Sequence, residues 1–158
     1  MEIFWINKFN KGILGMMPKP NGGSLLTEEI KILKNNKVDC LVCLIEHSEM
    51  QELGLLTEEK SCKKTAIDFI YFPIKDFQLP EEKAYFSLLN NLTERLEKNQ
   101  KIVIHCRAGI GRTGTVAAGL LLKNKIHTTD VFEFLSTVRT CKVPDTKEQR
   151  DWVLKLSF

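Results

Sequence analysis

The decamer HCRAGIGRTG, residues 105–114, gathers a nucleophile, a flexible backbone and a fixed positive charge within ten positions. It follows the short apolar run KIVIH (101–105) directly and runs into RTGTVAAGLLLKNK, so it reads as a tight loop between a strand and a helix. That placement sets Cys106 near a helix N-terminus, where unpaired N–H groups and the helix dipole favour negative charge and a thiolate. Gly109, Gly111 and Gly114 let the backbone turn and come close to a ligand. A loop whose amides converge at a helix start cradles an anion. Arg112 adds a planar fork matching two phosphate oxygens, and its charge cannot be lost. Nucleophile, oxyanion cradle and bidentate cation together fit attack on a phosphate monoester through a phosphocysteine, chemistry that needs neither metal nor other cofactor. No GK[ST] follows the glycines, so this is not a Walker loop.

Ester cleavage also needs a proton for the leaving oxygen. In FPIKDFQLP, Asp76 lies between Pro73 and Pro80, in a loop with Phe72 and Phe77 as expected aromatic anchors. Asp68 falls inside a predicted strand, and Glu81 and Glu82 read as first-turn helix charges. Thr146-x-x-Gln149 has capping-box spacing. Arg139, at the end of the preceding predicted helix, either braces the loop or is an exposed terminal arginine. Cys40 and Cys43 form a CxxC, but on a strand residues three apart face opposite ways. With no second CxxC and no histidine pair at ligand spacing, they read as buried hydrophobes, and no metal site is expected.

HCRAGIGRTG resembles the HCxxGxxR[ST] signature of the cysteine-dependent protein tyrosine phosphatase superfamily, and the layout from PKPNGG to the C-terminus is similar to it. The resemblance implies Cys106 as nucleophile within a phosphate-binding loop of Arg107, Ala108, Gly109, Ile110, Gly111 and Arg112. Arg112 is then the transition-state clamp, and Thr113 eases departure of sulfur. His105 is implied to order the loop and support the thiolate, with Arg107 at the rim. Dual-specificity members carry an acid aspartate about as far upstream as Asp76, and some members place a glutamine like Gln149 near the attacking water. Some also oxidise a partner cysteine onto the nucleophile, a position Cys43 resembles. The shortness of the chain resembles the dual-specificity type. The strand VDCLVCLIEHSE and the loop PIKDF loosely resemble the cyclin-dependent-kinase-associated phosphatase subgroup. AGIGRTG resembles tyrosine-specific members, so phosphotyrosyl protein is the expected substrate, with phosphoseryl or phosphothreonyl protein beside it. The competing readings are an inositol phosphate phosphatase, a phosphoprotein-binding module with little turnover, and sulfur transfer or arsenate reduction.

These residues need elements to hold them. LLTEEIKILKNNK reads as a helix capped by Thr27, VDCLVCLI (38–45) as a buried strand, Glu46 to Lys64 as one short helix with loops, and Ala66 to Ile74 as a strand. Pro80 opens a long helix with Tyr85, Leu88, Leu89, Leu92 and Leu96 on one face. TDVFEFLSTVR and TKEQRDWVLKL close the chain as helices. Buried strands alternating with helices predict an α/β fold with a central, mostly parallel sheet flanked by helices, dual-specificity phosphatase-like, as a single domain over 1–158. A net charge of +3 with scattered lysines argues against nucleic acid. No apolar run approaches the ~18 residues that span a bilayer, so no membrane partner is expected. Five cysteines without a secretion signal point to the cytoplasm, and the chain is expected to be monomeric.

Overall fold

A computed structural model describes residues 2–158. Five strands form one mixed sheet in the order β1-β2-β5-β3-β4. They are β1 (Phe4–Ile6), β2 (Ile13–Pro18), β3 (Cys40–Cys43), β4 (Asp68–Tyr71) and β5 (Lys101–Cys106). Only β1 runs antiparallel to its neighbour, and the other pairs are parallel. The helices described are α1 (Leu26–Asn35), α2 (His47–Glu52), α3 (Glu58–Lys64), α4 (Glu82–Glu97), α5 (Gly111–Lys123), α6 (Val131–Arg139) and α7 (Lys147–Lys155). The α/β class with a mostly parallel sheet is therefore as the alternation of elements predicted.

The central strands are apolar throughout because both faces are covered. Ile102 and Ile104 of β5, with Cys40 and Val42 of β3, join a layer built with Leu89, Leu92, Val116, Phe132 and Val153 of the C-terminal helices. Val103, Leu41 and Cys43 point into the second layer, against Ile30, Leu33 and Cys62. Cys40 and Cys43 thus lie on opposite faces, as the strand period required. Helix α5 is buried from Gly111 to Leu121 and forms the spine of the first layer. Tyr85, Leu88, Leu89, Leu92 and Leu96 form the buried face of α4.

Three local expectations change. Thr27 caps nothing, because a 3-10 turn at Gly23–Leu25 enters α1 first and makes Leu25 the capping position. Residues 46–64 hold two helices rather than one, with Gly54 at φ +69° turning the chain between them. Strand β4 is shorter than Ala66–Ile74: Ala66 sits at φ +53° in the turn that ends α3, while Phe72 and Ile74 still donate to the carbonyls of Cys43 and Leu44.

Candidate active site

Cys106 is the last residue of β5, at the C-terminal edge of the parallel strands, where open α/β sheets place their ligands. It is 3% exposed. Five residues later Gly111 begins α5, so the chain must reverse within Arg107–Ile110. Gly109 makes the turn at φ +69°, and a methyl there would lie 2.2 Å from the Met17 carbonyl oxygen of β2. Arg139 holds the turn from outside: Nε donates to the Gly109 carbonyl at 2.9 Å and Nη2 to the Ala108 carbonyl at 3.0 Å. In a trans peptide the N–H points opposite to the C=O. Binding these two carbonyls outward therefore turns the Gly109 and Ile110 N–H groups to the inside of the loop. Arg139 is buried and stacks 3.9 Å from the Phe4 ring centroid, so it braces the loop and is not an exposed helix-end charge.

Gly109→Ala combines left-handed backbone strain with this clash and is expected to lower unfolding free energy by at least about 2 kcal/mol. Gly23→Ala, at φ +61° in open space, meets only the strain and costs about 1 kcal/mol. Urea denaturation of the two variants measures the difference.

Arg112, in the first turn of α5, is 2% exposed and multiply held. Nη1 donates to Glu49 Oε2 at 2.7 Å and to the Ile74 carbonyl at 3.0 Å, and Nη2 donates to Glu49 Oε1 at 3.2 Å. Asp76 Oδ1 lies 3.0 Å from Nη2. Two segments distant in sequence, α2 and the Ile74–Asp76 loop, thus converge on one guanidinium. Burial pushes the Glu49 carboxyl up, but its hydrogen bonds and charge attraction to Arg112 outweigh this and leave it below the ordinary carboxylate value. Arg112 Nε and Thr113 Oγ1 are buried without partners in the protein, two donors free for a bound anion or sulfur. The arrangement fits a doubly charged, oxygen-rich ligand at the mouth of α5.

Behind the loop, His105 is fully buried with Nε2 3.1 Å from Glu58 Oε1. Burial works against a charge on this imidazole, yet the Glu58 carboxylate and the Cys43 thiol beside it raise its pKa well above the usual histidine value. Burial pushes the Cys43 thiol up, with His105 working against it. Potential ligand atoms of Cys43, Glu58 and His105 lie within 4.8 Å of one another, a grouping that spacing in the sequence did not reveal. A metal there would require His105 neutral and would compete with its ion pair to Glu58.

Not every expected neighbour is brought in. Cys43 is paired with His105 across the β3–β5 ladder and faces the second core layer, whereas Cys106 faces the first. The two thiols are not brought together, and a disulfide would need a rearranged strand end. Gln149 is brought in: it is buried and completes the capping box, with Thr146 Oγ1 accepting its N–H at 3.1 Å and its Oε1 accepting the Thr146 N–H at 3.3 Å, while a methyl on Gly111 would lie 3.0 Å from that Oε1 and its Nε2 has no partner in the protein. Phe72 packs against the core, but Phe77 is 57% exposed and anchors nothing, because its φ of +58° turns the chain outward there. Arg107 and Ala108 are exposed at the rim. Sequence reasoning missed Glu49. Its only local signal is the capping box it forms with Glu46, which accounts for it without reference to Arg112.

Residues 15–125 match the family described as Tc-R-P, polymorphic toxin system, DSP-PTPase phosphatase. Protein 197R of Invertebrate iridescent virus 6, which carries a tyrosine phosphatase name, is 31% identical over 104 residues, covering 63% of this chain and 37% of that protein. The chain therefore spans little more than a third of that relative. Among solved structures, kinase associated phosphatase with its catalytic cysteine changed to serine superposes with a TM-score of 0.88 at 20% identity, over 97% of this chain and 92% of that one. The active form of Tk-PTP gives 0.70 at 26% identity, over 98% and 96%. The phosphatase signature on a loop between β5 and α5, the five-stranded sheet and the match over 15–125 converge: this chain belongs to the DSP-PTPase family of cysteine-dependent tyrosine phosphatases.

Proposed function

We propose that the chain hydrolyses phosphomonoesters on proteins, phosphotyrosine foremost, through a cysteinyl-phosphate. One observation carries the reading: Arg112, six residues after Cys106 on a loop pinned by Arg139, is locked by Glu49 and meets Asp76 at 3.0 Å. Nucleophile, phosphate clamp and candidate acid thereby share one mouth. The Cys106 sulfur attacks phosphorus, an S–P bond forms, and the P–O bond to the substrate breaks. Asp76 protonates the departing oxygen, which leaves as a phenol or alcohol. Water then attacks phosphorus, the S–P bond breaks, and the thiolate returns beside the Thr113 hydroxyl while inorganic phosphate leaves. The positive charge the phosphoryl group needs is supplied by Arg112 and the loop amides. A reducing compartment such as the cytoplasm suits a chain with five free cysteines, the nucleophile among them.

Exposed apolar side chains around the acid support an aromatic substrate. Tyr71, Phe77 and Leu79 are 43%, 57% and 38% exposed, on the stretch that carries Asp76. Phosphate release from phosphotyrosyl and phosphothreonyl peptides in excess EDTA tests the proposal. Turnover that chelator leaves unchanged and that favours the phosphotyrosyl peptide is expected. Tight peptide binding without phosphate release overturns it in favour of a binding module. Release from inositol phosphates alone moves the substrate to that class.

A further inference from the structure

Behind the phosphate-binding loop, the described residues hold one group of three metal-binding side chains from three elements: Cys43 on β3, Glu58 on α3 and His105 on β5. All three are 0% exposed. Full burial keeps bulk water from them, and the protein does not satisfy them either. Both carboxylate oxygens of Glu58 and both ring nitrogens of His105 lack a hydrogen-bond partner. His105 Nε2 comes within 3.1 Å of Glu58 Oε1 without the alignment of a hydrogen bond, so a proton between them serves this pair poorly and leaves Nδ1 and Oε2 with nothing. An orphaned polar atom in a core is costly, and four in one cluster call for an occupant.

The donor set selects the ion. Thiolate, imidazole and carboxylate suit Zn2+, whereas Ca2+ and Mg2+ take oxygen ligands. Ligand atoms around a tetrahedral zinc stand about 3.3–3.7 Å apart. Those of Cys43, Glu58 and His105 already lie within 4.8 Å of one another, so shifts of about an ångström close the site. Cys62 lies one turn beyond Glu58 on α3, buried in the same layer as Cys43 and close enough for the charges of both to act on it. Rotation of its side chain adds a fourth ligand.

We propose that Cys43, Glu58 and His105, with Cys62 as the fourth ligand, form a structural Zn2+ site beneath the phosphate-binding loop. The ion ties α3 to the β3–β5 pair, in which Cys43 and His105 are cross-strand partners. Because His105 precedes the nucleophile, the ion also fixes the strand end from which the loop departs. It lies on the layer away from Cys106 and takes no part in the turnover described above. Binding displaces the thiol protons of Cys43 and Cys62 and leaves His105 neutral. The imidazole–carboxylate pair is what the protein holds without zinc.

Cys106→Ser serves as the parent chain for the test, because it removes the active-site thiol as a rival zinc ligand. The protein is purified under reductant from zinc-supplemented medium, freed of loose metal by gel filtration, and a portion is stripped with EDTA. One zinc per chain is expected by elemental analysis, with a dissociation constant of roughly 10 nM or below by chelator competition. The zinc-loaded chain should melt roughly 5–15 °C above the stripped one. Reloading with Co2+ should produce a thiolate-to-cobalt charge-transfer absorption. Cys43→Ser and Glu58→Gln, each in the parent, should weaken zinc binding by at least roughly 100-fold and abolish the melting shift. The melt of each variant in EDTA reports its folding, and either variant alone decides the site. A folded parent that holds no zinc overturns the proposal. So does unchanged zinc affinity in a folded Cys43→Ser or Glu58→Gln chain, since the ion then lies elsewhere. Neither readout depends on turnover, so the result stands apart from the phosphatase reading.

Discussion

Cys106→Ser is expected to lower phosphate release from a phosphotyrosyl peptide by at least roughly 10⁴-fold, in line with removal of a covalent nucleophile. The loop stabilises an anion, and a thiol yields one readily where a serine hydroxyl does not. The apparatus at this loop is a cradle with a clamp, and Asp76, which meets the clamp at 3.0 Å, serves the leaving group in the proposed reaction. The change of one buried atom at the end of β5 leaves the Ala108 and Gly109 carbonyls on Arg139 and the Arg112–Glu49 pair untouched. Phosphopeptide affinity, read by calorimetry, is therefore expected to stay within about ten-fold of wild type, since the groups that hold the phosphate are unchanged. Turnover above 1% of wild type at unchanged peptide affinity would sink the nucleophile assignment. A thermal melt distinguishes either result from unfolding.

What the sequence disclosed about this site was what lies close together in it. Cys106, Gly109, Gly111 and Arg112 fall within seven residues, so their chemistry is legible from types and offsets alone. The fold class follows from runs such as KIVIH and VDCLVCLI, buried on both faces and separated by amphipathic segments. The supports are different in kind. Glu49 is 63 residues from Arg112, and its position in the first turn of α2 already has a local explanation as a capping residue. Glu58 is one of several acidic residues in a charged stretch until α3 folds against β4 and buries it under His105. Gln149 carries two readings at one spacing, and its capping box is what the local backbone makes of it. Tertiary packing selects among charges that are equivalent in the sequence, and no local signal anticipates the choice.

Arg112→Lys keeps the charge and is expected to cost roughly 10²- to 10³-fold in kcat/KM for the phosphotyrosyl peptide. The reason is geometric. The guanidinium holds Glu49 with both terminal nitrogens, takes the Ile74 carbonyl, meets Asp76 and still has Nε–H without a partner. An ammonium is a single point with three donors and cannot satisfy Glu49 bidentately while meeting two phosphate oxygens. Its failure also reaches the acid, because the Asp76 loop is tied to the site through this one side chain and through the Ile74 carbonyl two residues before it. Arg112→Ala removes the charge as well and leaves Glu49, at 13% side-chain exposure, without its partner, a loss of about 3 kcal/mol in stability. Asp76, at 40%, is solvated enough to add little. The pH dependence identifies the pair. Glu49 is held below its ordinary value when folded, so the stabilisation is complete above the unfolded carboxylate pKa of about 4.3 and is lost as pH falls through the lower folded value. Urea midpoints measured from pH 7 downward should therefore fall more steeply below about pH 4.3 in wild type than in Glu49→Gln. Parallel curves would mean that Glu49 contributes position without stability. The kcat/KM loss in Glu49→Gln, expected to be roughly 10-fold, would then isolate how much of the Arg112 effect is alignment of the fork rather than charge.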